Sequence, residues 1–234
     1  MLKFLFHLIG ALQFAYGCYY DYMFVVVPST SSIAPQFGGK LKYLTYLDAL
    51  IQTLYFTLAC FNDIFGSNEQ SPSEKPLVRR VKDTVFSSLA FPVAMFVGVS
   101  FWALYAVDRE LILPRALDAY FPTWLNHVMH TNIVLFILTE LGTSFRMYPK
   151  KKFGMSILCT FMLAYVVWIH VIYAETGMWV YPVLRVLNWP LRIVFYLFSL
   201  ALVCSFYDLG ERLNRAIWSK EVEKTVKSGK KKAK

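Results

Sequence analysis

The sequence predicts an all-α polytopic membrane protein, a six-transmembrane-helix bundle, on three observations. Of its 234 residues 57% are hydrophobic and 18% aromatic, whereas soluble domains run at about 45–50% apolar. Six stretches reach the roughly 20 mostly apolar residues that a helix needs to cross hydrocarbon: 5–27, 44–65, 84–107, 124–145, 154–175 and 191–210. Nine of the ten prolines fall at or between the ends of these stretches, and only Pro92 lies inside one.

The first stretch follows a single early lysine, Lys3. It is too long for a signal-peptide core and has no small-residue cleavage site, so it reads as a retained span. The second opens on Thr45, with Asp48 and Gln52 at i+3 and i+7, which places all three on one helix face. The third holds Pro92, whose missing backbone donor predicts a kink. The fourth begins Trp124-Leu125-Asn126-His127-Val128-Met129-His130, two histidines one turn apart beside an asparagine. The fifth closes on His170 and Glu175, ahead of Thr176-Gly177-Met178-Trp179-Val180-Tyr181-Pro182, whose aromatics suit either a cavity rim or an interfacial belt. The sixth leads into a basic stretch, so residues 1–213 form the transmembrane domain and 214–234 a basic tail.

Charge orients the bundle. Lys3, the 66–83 and 146–153 loops and the segment from Arg212 to Lys234 hold eighteen basic residues, against five in the alternate loops (Lys40, Lys42, Arg109, Arg115 and Arg185). The positive-inside rule then makes both termini cytoplasmic. The same placement accounts for the net charge of +9 without a nucleic-acid partner; the partner is the lipid bilayer. Lys230-Lys231-Lys232-Ala233-Lys234 fits either a dilysine retrieval signal or a tail drawn to anionic lipid, so the compartment is the endoplasmic reticulum or the cell membrane. The four cysteines all fall in apolar runs and predict no structural disulfide.

With this orientation the second and fourth spans both start on the non-cytoplasmic side. Thr45 and the His127/His130 pair therefore share one half of the bilayer. Polar side chains are costly there and usually face a bundle interior or cavity. Thr45 is either a nucleophile or a helix-start hydroxyl bonded to backbone. His130, the deeper histidine on the face of Asn126, is either a base, a metal ligand or an interhelical bonding group. A bis-histidine haem from His130 and His170 is a further reading. No G-x-S-x-G elbow, H-E-x-x-H or P-loop occurs, and no cofactor is called for.

Five stretches resemble the androgen-induced and androgen-dependent TFPI-regulating protein family of membrane threonine hydrolases. They are Lys42-Tyr43-Leu44-Thr45, Leu89-Ala90-Phe91-Pro92-Val93, Trp124-Leu125-Asn126-His127 with Met129-His130-Thr131, Thr176 to Pro182, and Leu209-Gly210-Glu211. The resemblance implies a six-helix hydrolase that cleaves fatty acid esters of hydroxy fatty acids, with Thr45 as nucleophile and His130 as its base. Asn126, His127 and Asp48 are then candidates for orienting His130 or binding an oxyanion. The rival reading is a non-enzymatic lipid-binding protein or small transporter.

Overall fold

The computed structural model describes residues 1–27, 36–69 and 76–223. The dilysine-like segment, Lys75, Pro28, Pro35 and Pro72 lie outside the described residues. Helices are the regular structure of those described, with no strand among them.

Six long helices form. α1 is Leu2–Phe24 and α2 is Leu44–Phe65. α3 runs Leu77–Leu111, with a π turn over Phe86–Ala90 just ahead of Pro92. α4 starts at Thr123–His127, widens into a π turn over Val128–Asn132 and continues as Ile133–Thr143. α5 is Lys151–Thr176 and α6 is Trp189–Ile217. α6 thus continues past residue 213, the boundary expected for the tail.

Four helices, α2, α3, α5 and α6, are long and apolar enough to cross a membrane, which makes the chain an integral membrane protein. α1 and α4 are less apolar than the expectation of six spans required. α1 carries Lys3, His7, Gln13 and Asp21 besides four tyrosines, and α4 carries Asn126, His127, His130, Asn132 and Glu140. Most of those polar groups face inward: His7, Asp21, Asn126, His130 and Glu140 are buried, whereas Lys3 and His127 are exposed.

The core between the helices is apolar, built around Phe14, Tyr55, Phe56, Phe86, Phe91, Ile133, Ile137, Leu158 and Tyr207. At the end of the bundle where α1 begins an ionic cluster ties the helices together. Glu140 accepts from Tyr55 Oη at 2.5 Å, Arg146 Nη2 at 3.0 Å, His7 Nε2 at 3.0 Å and Ser144 Oγ at 3.1 Å. The other His7 ring nitrogen faces Asp63 at 2.6 Å, and the Arg146 guanidinium lies 3.3 Å over the Phe86 ring. Burial of such charges is tolerated only when they are paired and hydrogen-bonded.

Candidate active site

At the opposite end of the bundle the starts of α2 and α4 come together. Thr45 is the second residue of α2. No side chain from the chain just before α2 caps its start; two tyrosines from elsewhere do so. The Leu44 N–H donates to the hydroxyl oxygens of Tyr165 (3.0 Å) and Tyr181 (2.9 Å), while Tyr165 donates to the Lys42 carbonyl at 2.9 Å. With its proton committed there, the Tyr165 oxygen accepts from Tyr181, 2.8 Å away. α5 and the loop after it thereby fix the height and rotation of Thr45.

His130 sits in the middle of the α4 π turn, a rare wide turn found disproportionately at functional sites. It is 4% exposed, and its ring stacks on Phe101 at 3.5 Å between centroids and 14° between planes. Nε2 lies 3.2 Å from Thr45 Oγ1, and Nδ1 lies 3.0 Å from the Asn126 main-chain carbonyl. A carbonyl only accepts, so in the neutral ring Nδ1 carries the proton and Nε2 presents its lone pair to the hydroxyl.

The other expected residues are placed differently. Asp48, fully buried one turn below Thr45, accepts from Gln52 Nε2 at 2.8 Å, and its second oxygen has no hydrogen-bond partner. Gln52 also donates to Ala90 O at 2.9 Å, joining α2 to the end of the α3 π turn. Asn126 meets His130 through its backbone, with its side-chain oxygen buried and unpartnered. His127 is exposed, hydrogen-bonds Thr131 Oγ1 at 3.2 Å and stacks on Trp102. His170 bonds the Val166 carbonyl at 2.7 Å and packs among Trp179, Trp189 and Tyr196. No cluster of metal-ligating side chains occurs among the described residues.

Two cavities meet at Thr45. The first, about 110 Å³, is bounded by Thr45, His130, Phe101 and Tyr181 and, toward the end of the bundle, by Tyr43, Lys40 and Asp21. The second, about 100 Å³, runs down the apolar faces of α3, α5 and α6 past Val97, Leu104, Met162, Ile169 and Phe195. Thr45, Phe101, Ile112 and Tyr181 border both. Beside the first cavity, in the turn preceding α2, burial and the neighbouring Lys40 charge pull the Lys42 ammonium down to about 8, against an opposing pull from Asp21. Sequence reasoning missed Tyr165, Phe101 and Lys40; only Tyr181 had stood out, as a rim or belt aromatic.

The profile of the family described as FAR-17a/AIG1-like protein matches residues 2–215. The chain belongs to that family. Among its relatives is the human androgen-induced gene 1 protein, 38% identical over 92% of this chain and 90% of the relative. The androgen-dependent TFPI-regulating protein of Mesocricetus auratus is 41% identical over 82% and 83%, and its human counterpart 39% identical over 77% and 78%. No solved structure matches. Family membership accords with an integral membrane protein, and the Thr45–His130 pair lies within the matched region.

Proposed function

We propose that this protein is an intramembrane lipid ester hydrolase that cleaves fatty acid esters of hydroxy fatty acids, with Thr45 as nucleophile and His130 as general base. The observation that carries the reading is the Thr45 hydroxyl 3.2 Å from a histidine nitrogen whose partner nitrogen is held by a carbonyl. A threonine hydroxyl is a weak nucleophile until an oriented base takes its proton. His130 Nε2 accepts that proton, Thr45 Oγ1 bonds the ester carbon, and an acyl-threonine forms as the alcohol leaves with the proton. Water, deprotonated by the same nitrogen, then releases the fatty acid. The Thr45 backbone N–H, in the first turn of α2, has no hydrogen-bond partner among the described residues. Orphan donors at a helix start suit a developing oxyanion.

The two cavities support a two-armed substrate, since each arm of a branched lipid ester has its own space with the ester at Thr45. In this reading α1 and α4 also cross the bilayer, giving six spans with cytoplasmic termini and the ester site in the non-cytoplasmic half.

The test is labelling of purified protein with a fluorophosphonate probe. The adduct is expected on the peptide containing Lys42 to Asp48. Thr45→Ala and His130→Ala abolish both labelling and ester turnover, Thr45→Ser retains measurable turnover, and His127→Ala remains active. Full turnover in folded Thr45→Ala protein refutes the mechanism.

A further inference from the structure

From the placement of the groups around Thr45 we infer that the two cavities are not interchangeable. The first receives the alcohol arm of the ester, and Lys40 binds a free carboxylate on that arm. This deepens, and rests on, the hydrolase reading.

The assignment of arms follows from where the proton must go. Attack by Thr45 leaves the acyl chain bonded to its oxygen. The bond from the ester carbon to the alcohol oxygen then breaks, and that oxygen takes the proton held by His130 Nε2. The departing alcohol must therefore lie on the His130 side of Thr45. His130 and Met129 line the first cavity, whereas the second is bordered by Thr45 but not by His130. The acyl chain accordingly occupies the second cavity, whose walls are almost wholly aliphatic and aromatic.

The first cavity has the polar end that an acidic alcohol arm requires. Lys40 lies in the turn before α2, toward the loop end of the bundle from Thr45. Its ammonium has three N–H donors. One goes to Asp21 Oδ1 at 2.8 Å and one to the Val25 carbonyl at 2.7 Å, which leaves the third for the cavity that Lys40 lines. The two fixed contacts immobilise a normally flexible side chain, so a carboxylate meets a preorganised donor at little entropic cost. Depth matches chemistry as well, because a substrate carboxylate stays near the polar boundary while the ester a few carbons away reaches just inside it.

The experiment compares two synthetic substrates with the full-length protein in detergent: a palmitoyl ester of a hydroxystearic acid, and the same molecule with its carboxyl methylated. A charge-assisted contact of this kind is worth about tenfold in kcat/KM, read mainly in KM. Wild type is expected to favour the free acid by that ratio, Lys40→Arg to retain the preference and Lys40→Met to lose it. Because Lys40→Met strands Asp21, Asp21→Asn/Lys40→Met is measured alongside, and loss of the preference is expected there too. Equal cleavage of both substrates by wild type, or a ratio that survives in the methionine variants, overturns the carboxylate assignment while leaving the hydrolase reading standing. Cleavage of neither substrate by wild type overturns both.

Discussion

Gly98 on α3 offers a test of the site that touches neither Thr45 nor the His130 ring. Its Cα backs onto the α4 π turn, and a Cβ built there would lie 2.9 Å from the His130 carbonyl oxygen and 2.3 Å from Val134 Cγ2. Ordinary contact begins near 3.4 Å, so the His130 backbone must retreat by about half an ångström and the valine by more. Catalytic geometry tolerates errors of roughly 0.5 Å, and a 1 Å misplacement can cost about a hundredfold. Gly98→Ala is therefore expected to lower kcat/KM by about tenfold or more, with a stability loss of about 1–3 kcal/mol from overpacking. The assay is initial-rate hydrolysis of the lipid ester beside thermal melting in the same detergent. Gly98→Ala/Val134→Ala separates the two effects. It removes the side-chain clash and recovers melting temperature, but leaves the backbone clash and the activity defect. Wild-type activity in folded Gly98→Ala, or activity rescued in step with stability by the second substitution, refutes the idea that π-turn placement limits catalysis.

Two more outcomes follow from other parts of the molecule. Glu140→Ala should destabilise by about 3–5 kcal/mol, because it leaves the buried Arg146 without its carboxylate and Tyr55 without its acceptor; an unchanged melting temperature would refute that account. Epitope tags at either terminus should be reached by antibody after selective permeabilisation of the plasma membrane, and a tag protected until internal membranes are opened would overturn the cytoplasmic orientation of the termini.

Hydropathy located α2 to the residue, since Tyr43 and Gly66 bracket a mostly apolar run with Asp48 and Gln52 set on one face. It cut α3 short, because Arg79, Lys82 and Asp83 read as loop; in the fold they are buried, with Asp83 between the two cations. α6 likewise runs on past residue 210 through Glu211, whose charge pairs with Arg215. At the site, depth arguments put Thr45 and His130 at one level, but their 3.2 Å approach depends on how helices pack, which periodicity does not encode. Tyr165 was invisible for the same reason: it caps a helix 121 residues away in the chain. Glu140 read as a helix-end carboxylate, and its partners come from α1, α2 and the segment after α4.

The group holding His130 Nδ1 belongs to the main chain, and this changes what mutation can report. Replacing Asn126 removes an amide but leaves the carbonyl where it was, so alanine scanning will return two essential residues and no third. The constraint shifts from one amino-acid identity to the shape of a helical turn, spread over whatever fixes that shape. Sensitivity should appear instead in the residues packed behind the turn, or on replacing the peptide unit itself by one whose oxygen is a poorer acceptor.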